Sequence, residues 1–434
     1  MKEILIPTLG RALIDSPLHL GRVRGDARPD FTGENSRVLN NIETGLDSQD
    51  ENILFEKAGP RSRIFFDPQR TRAAVVTCGG LCPGLNNVIR SLVLELYHNY
   101  GLQDIQGICY GYQGMAENPF KPMIPLAPNL VDTIDRQGGS MLGCSRGSPS
   151  VESMVDFIAR QKIDILFTVG GDGTQRGALE ITRELARRGM QVSVVGIPKT
   201  VDNDIRYVDR TFGMTTAIDR ARDVLDAAHA EAKSYPNGIV LVKLMGRDSG
   251  FIATGATLAS QQVNFVLIPE LSFHLSGEGG FLSVLKDRII KRQHALIVVA
   301  EGAGQDLVPG DRALDASGNL LNRDIGPFLK EQIAVYFKQE NIPVSLKYID
   351  PSYYIRSVAA GTDDSILCDL YARHAVHAAM SGRTQMIVAL RRQFVHVPME
   401  MATQGRQKVS LEGDVWRSVL SATGQPAKFN GDLL

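Results

Sequence analysis

Short β-branched runs, "RAAVVTC", "DILFTVG" and "SVVGIPK", each end at a glycine-bearing or polar turn, and the first two lead into amphipathic segments. Apolar runs without polar alternation predict strands buried on both faces, and a helix after each is how parallel neighbours are joined. Within "LNNVIRSLVLELYHNYG", Val88, Leu92 and Leu96 recur at every fourth position beside Ile89 and Val93. That spacing predicts a helix with one buried stripe. A second group, "NGIVLVKLMG", "VNFVLIPE" and "HALIVVAEG", predicts another unit of the same kind. The expected fold class is α/β, two Rossmann-like lobes with mainly parallel sheets.

Length and charge set the limits. The 434 residues, 43% of them hydrophobic, suffice for two or three domains with their own cores. Lysine and arginine number 47 against 48 acidic residues, so no basic surplus points to nucleic acid or to an anionic membrane. Cys78, Cys82, Cys109, Cys144 and Cys368 lack the spacings of a zinc site or a disulfide framework, which suits a reducing compartment. With no apolar run of about 18 residues, the expectation is a cytoplasmic protein without a membrane partner. Residues 1–70 mix Arg, Asp, Gly and Pro, and are expected to form an irregular N-terminal arm. "AVHAAM" places His374 and His377 on a helix, as core or surface residues rather than metal ligands.

Three stretches carry chemistry. In "VGGDGTQRGALE" a strand ends in glycines that let backbone N–H groups approach an anion, and the next helix opens with its positive end towards it. Asp172 at that position suits a divalent cation set among phosphate oxygens, although a tight turn with a capping aspartate would use the same residues. "CGGLCPGLNN" is a second glycine-rich turn of this type. "IPKTVDNDI" delivers Thr200, Asp202 and Asp204 at two-residue intervals, which would set all three on one side if the segment stays extended. Carboxylates and a hydroxyl beside phosphate-binding loops suit phosphoryl transfer.

"CGGLCPGLNN", "GGDGT", "PKTVDNDI", "KLMGRDSGF", "VAEGAGQD" and "YIDPSYYIRS" occur in the order seen in 6-phosphofructokinases, from about Thr71 to Leu390. The chain resembles the longer-chain branch of that family, with an N-terminal arm and "PKTxDND". The resemblance implies the phosphofructokinase fold and phosphorylation of fructose 6-phosphate on its 1-hydroxyl, with Mg2+ and ATP, or pyrophosphate as the alternative donor. It implies a nucleotide-binding lobe over 71–213 plus about 355–390, and a sugar-phosphate lobe over 214–354 plus about 391–434. Asp202 matches the general base, with Thr200 and Arg247 beside the transferring group. Asp172 matches a magnesium-site carboxylate, and Asp204 is a second candidate. Gly80, Tyr112, Arg146, Gly171, Gly173, Thr174 and Lys199 match the donor side. Met245, Gly246, Arg247, Glu301, Lys347, Tyr353 and Arg356, together with Thr200 and Asp202, match the sugar-phosphate side. A homodimer or homotetramer is implied.

The chain departs from the short bacterial enzymes at Lys347 and Tyr353, where those carry arginine and histidine. It also departs at Gly238, where they carry an arginine reaching across a subunit boundary. Pyrophosphate-dependent relatives carry aspartate where Gly173 stands; a carboxylate there would repel a nucleotide's α-phosphate, so glycine favours ATP. Lys199 occurs among pyrophosphate users and could bind a phosphate oxygen as a point charge. A lipid or dinucleotide kinase would share only GGDGT, and a silent regulatory subunit would have no need of Asp172, Thr200 and Asp202 together.

Overall fold

The computed structural model describes residues 2–41, 53–311, 313 and 321–430 of the chain. Two compact units are present: Met1–Thr200 with Ile205–Gly213 and Ser357–Arg406, and Val201–Asp204 with Met214–Arg356 and Gln407–Leu434.

In the first unit the apolar runs form a ten-stranded sheet. From one edge to the other its path is Lys2–Glu3, Ile53–Lys57, Phe394–Pro398, Met386–Leu390, Ser193–Pro198, Ile165–Gly170, Arg72–Thr77, Asp104–Ile108 and Ile124–Pro125, and the tenth strand, Arg37–Leu39, pairs with Ile53–Lys57 off this path. Its centre is parallel, with Ala73–Thr77 in register with Ile165–Val169, and these in turn with Ser193–Ile197. Strands Ile165–Gly170 and Ser193–Pro198 are buried at every position, as uninterrupted apolar runs require when helices cover both faces. Helix Leu85–Leu94 and the π-turn Glu95–Tyr100 that extends it bury Val88, Ile89, Leu92, Val93 and Leu96 completely, which is the stripe its spacing predicts.

The second unit has a four-stranded, wholly parallel sheet in the order Phe265–Leu267, His294–Ala300, Gly238–Leu244, Ser345–Ile349. Its core contains Phe265, Phe273, Phe281 and Phe429, with Phe281 edge-on to each of the other three. Helix Asp414–Thr423 turns Trp416 and Val419 inward and ends at Gly424 in the left-handed conformation. The chain is therefore α/β with two mainly parallel sheets.

Two regions differ from the sequence expectations. Residues 391–406 lie in the first unit, because Phe394–Pro398 folds back antiparallel on Met386–Leu390. The N-terminal arm is not wholly irregular: Ile53–Lys57 pairs with Phe394–Pro398, Arg37–Leu39 and Lys2–Glu3. Its residues 42–52 lie outside the described part, as do 431–434 at the other end.

Buried charge fastens the arm. Arg61 is buried and donates to Glu56 Oε1 at 2.7 Å and to the carbonyls of Thr32, Gly33 and Lys57. Glu56 also receives Arg383 and the Nδ1 side of His396, the latter at 3.1 Å. Burial opposes the charge of Glu56, but His396, Arg383 and Arg61 outweigh it and bring its pKa down to about 2. Burial holds His396 and His374 neutral, with pKa values down to about 4, and His377 down to about 3.

An unfolded chain takes up protons at these three histidines near their ordinary 6.5, which the native state refuses. Stability should therefore hold above that value and fall as pH drops from 6.5 towards 4, with Glu56 adding a further loss of the same sign below its ordinary 4.5. The urea midpoint measured against pH should show this slope, and His374→Phe should flatten it; a midpoint unchanged between neutrality and pH about 5 contradicts the account.

Candidate active site

The donor-side residues sit on loops of the first unit. Strand Arg72–Thr77 continues into Cys78, whose N–H donates to Val169 at 2.9 Å, and Gly79 donates to Ser145 at 3.1 Å. The chain then reverses into helix Leu85–Leu94 at Gly84, φ +102°, where a Cβ would lie 2.5 Å from Cys368 Sγ. Only glycine fits. Cys78 and Cys82 are packing residues, and burial pushes the Cys78 thiol up to about 12.

The second loop links strand Ile165–Gly170 to helix Asp172–Arg187. Gly171 precedes the helix without a side-chain cap, and its carbonyl accepts from the Thr174 and Gln175 N–H groups, both at 3.0 Å. A Cβ on Gly170 would strike Thr174 at 2.2 Å, whereas one on Gly173 would meet nothing within 4 Å. Asp172 does not cap the helix; it is the first helical residue, pairing with Arg176 at 2.6 Å and Arg406 at 3.5 Å. Thr174 is buried and its carbonyl accepts from the Tyr112 hydroxyl at 2.8 Å. Tyr112 is only 5% exposed, so it braces this loop from behind instead of facing solvent beside it. Arg146 is exposed, on the loop that carries Ser145.

Lys199 follows strand Ser193–Pro198 and is 5% exposed. Its ammonium donates to the Gly80 carbonyl at 2.6 Å and, among the described residues, pairs with no carboxylate. A buried cation held by one carbonyl leaves two N–H donors for an anion.

Beyond Lys199 the extended reading fails. Val201 and Asp202 form a turn and Asn203 adopts φ +53°, so Thr200, Asp202 and Asp204 do not alternate along a strand. Thr200 belongs to the first unit, where its carbonyl accepts from Thr211, and 201–204 belong to the second. There the Asp202 carbonyl accepts from the buried Ser249 hydroxyl at 2.7 Å and its Oδ2 from the Arg247 N–H at 3.4 Å. Asp204 is buried, its carbonyl bonded to the Gln407 N–H at 2.9 Å.

The remaining residues lie at the ends of the second sheet. Strand Gly238–Leu244 delivers Met245, Gly246 and Arg247, and strand His294–Ala300 delivers Glu301 next to them. The two loops interlock: Gly302 N–H bonds the Gly246 carbonyl at 3.0 Å, and Glu301 N–H the Leu244 carbonyl at 2.9 Å. Burial raises the Glu301 pKa against the opposing pull of Lys243, Arg247 and Arg356. Lys243 itself bonds Asp324 and Asp350, both at 2.8 Å, and these hold its pKa up despite burial. Arg356 stacks over the exposed Tyr353 ring at 4.8 Å. Lys347 stands apart, exposed over Tyr235 at 5.5 Å. At Gly238 a Cβ would fall 2.0 Å from the Ala232 carbonyl oxygen, so this backbone admits no side chain there.

Sequence reasoning did not single out Arg176, Arg406, Lys243 or Ser249. Lys243 had a signal, a lone lysine inside the apolar run "GIVLVKL"; Arg406 had none, since its pairing with Asp172 spans most of the chain.

The family model described as Phosphofructokinase matches residues 72–379. The chain belongs to the phosphofructokinase family. It is 46% identical to the ATP-dependent 6-phosphofructokinase of Borreliella burgdorferi, covering 98% of this chain and 97% of that one. It is 42% identical to the ATP-dependent 6-phosphofructokinase of Amycolatopsis methanolica, over 99% of this chain and 96% of that one. Among solved structures it resembles the pyrophosphate-dependent phosphofructokinase of Marinobacter aquaeolei, with a TM-score of 0.67 over 82% of this chain and 91% of that one. At 18% identity that likeness concerns the phosphofructokinase fold alone.

The loop geometry separates two glycines. Gly84→Ala should destabilise the protein by about 1–3 kcal/mol through its backbone conformation and the clash with Cys368, whereas Gly173→Ala should shift stability by less than about 1 kcal/mol. Urea titration of both variants checks this; equal effects would remove the distinction.

Proposed function

We propose that the protein transfers the terminal phosphoryl group of ATP to the 1-hydroxyl of fructose 6-phosphate, giving fructose 1,6-bisphosphate and ADP. The observation that carries this is identity of 46% and 42%, over nearly the whole chain, to two enzymes named for that activity. In our reading Gly80, Gly171, Gly173, Thr174, Arg146 and Lys199 hold the donor, with Tyr112 supporting Thr174. Met245, Gly246, Arg247, Glu301 and Arg356 hold the sugar phosphate and Tyr353 borders it, whereas Lys347, over Tyr235, is left out of this set. Arginine forks suit a phosphate, and a carboxylate suits sugar hydroxyls.

The protein's share of the reaction is positioning and charge. Asp202, oriented through its own carbonyl by Ser249 and through Oδ2 by the Arg247 N–H, accepts the proton of the 1-hydroxyl. As that oxygen bonds the phosphorus, the bond to the ADP oxygen breaks, and Arg247 and Thr200 are assigned to steady the group in flight. The donor set fits Mg2+: a metal carried by phosphates needs only one or two carboxylates, and Asp172 opens a helix on the donor side. When bound, Mg2+ neutralises phosphate charge; Asp172 is its assigned ligand and Asp204 the second candidate. Occupation by the metal would compete with the Arg176 and Arg406 pairs. The enzyme is proposed to work in the cytoplasm as a homodimer or homotetramer; among the described residues no helix is long and apolar enough to cross a membrane.

Lys199 is the feature that keeps pyrophosphate in view as a donor, whereas the open space at Gly173 favours ATP. Turnover of fructose 6-phosphate with Mg2+ and each donor decides between them: ATP should support it, and turnover with pyrophosphate alone would reverse the assignment. Gly173→Asp should raise KM for ATP at least about tenfold, since it sets a carboxylate where the donor phosphates are assigned. Asp202→Asn should lower kcat by about 10² to 10⁴ with KM for the sugar phosphate little changed. Near-normal turnover in that variant would exclude Asp202 as the base.

A further inference from the structure

The first unit holds a cavity of about 670 Å³ that none of the chemistry above uses. It lies where the arm, at Pro17–Leu20 and Asp30, faces the π-turn Glu95–Tyr100 and the end of helix Thr362–Met380 at His377. Its volume is that of a small-molecule site, and a π-turn in its wall is a backbone departure often found at such places.

Of its polar lining groups Glu95, Tyr100 and His377 are buried, and Asn99 is exposed. Glu95 Oε2 accepts from Asn99 Nδ2 at 2.5 Å and from Arg373, while Oε1 lies 4.0 Å from His377 Nδ1. His377 Nδ1 is bonded to the Tyr100 hydroxyl at 2.8 Å. Glu95 and Tyr100 are each 3% exposed, yet both line the cavity. Because Asn99 spends its N–H on Glu95, its amide oxygen stays available as an acceptor one helical turn from the carboxylate. Asp30 adds an acceptor at the rim, and among the described residues no lysine or arginine lines the space. Leu18, Leu20 and Pro17 add apolar side chains to the lining.

We propose that this cavity binds a small planar organic cation, an amidinium or guanidinium, donating to Glu95 and the Asn99 amide oxygen while its body lies against the leucine and proline wall. Paired acceptors suit a forked donor, and an anion would meet Asp30 and the Glu95 carboxylate, whose partner Arg373 approaches from outside the lining. Two titration directions agree. Burial raises the Glu95 pKa even against Asn99 and Arg373, so its carboxylate is under-compensated; burial keeps His377 neutral, so it does not repel a cation.

Calorimetric titration of the full-length protein with benzamidine and agmatine should show saturable one-to-one binding, with the isosteric anion benzoate at least tenfold weaker. Leu20→Trp, which adds bulk to the lining, and Glu95→Gln should each weaken benzamidine at least tenfold. Circular dichroism checks that both remain folded. Benzoate binding as tightly as benzamidine, no saturable heat with either cation, or benzamidine affinity unchanged in the folded Leu20→Trp protein would each overturn the proposal.

Discussion

Backbone packed closer than a methyl group allows is the constraint on which the candidate site rests. At Gly84, Gly170, Gly246 and Gly302 an added Cβ would fall within 2.5 Å of a neighbouring atom; the last three stand at or just beyond the end of a parallel strand, and Gly84 at the start of the helix that follows one. That closeness lets the loops after the two sheets fold tightly enough to present amides and charged side chains instead of apolar ones. Where the space is open, as at Gly173, glycine reflects room left for something else.

The two units handle charge differently. The first keeps a nearly enclosed ammonium, Lys199, on a lone carbonyl, and sets an aspartate at a helix start between two arginines. The second pairs its lysine internally, Lys243 being shared by Asp324 and Asp350, while burial raises the Glu301 pKa against the pull of Lys243, Arg247 and Arg356. Asp324 has a second task, capping helix Ile325–Gln339 through the Gly326 N–H at 3.3 Å. An under-neutralised pole suits a polyanionic donor, whereas a pre-neutralised cluster suits a ligand that brings both hydroxyls and a phosphate.

Much of this was legible in local sequence. Apolar runs such as Ile165–Gly170 announced buried parallel strands, and the fourfold spacing from Val88 to Leu96 announced the helix stripe, because both patterns are set by neighbours a few residues away. The segment after Lys199 misled, since an apolar strand followed by alternating polar residues gave no warning of the turn at Asp202 or of the left-handed Asn203. The arm strand Ile53–Lys57 was illegible for another reason: its partners are Phe394–Pro398 and two short arm strands, and such pairings leave no local trace. Tyr112 was placed in the correct neighbourhood, but sequence could not show that its ring faces Gly177 behind the loop.

Glu56 joins the arm to the body through a single carboxylate shared by Arg61, Arg383 and His396. A shortened version of the chain, cut for crystallisation so as to begin at the phosphofructokinase-matched segment, would keep Arg383 and His396 but lose Glu56 and Glu34, the two carboxylates on which the Arg383 guanidinium is paired. Trimming this protein thus calls for recoding position 383 to an uncharged residue of similar bulk, and chimaeras with armless relatives face the same requirement at the graft point.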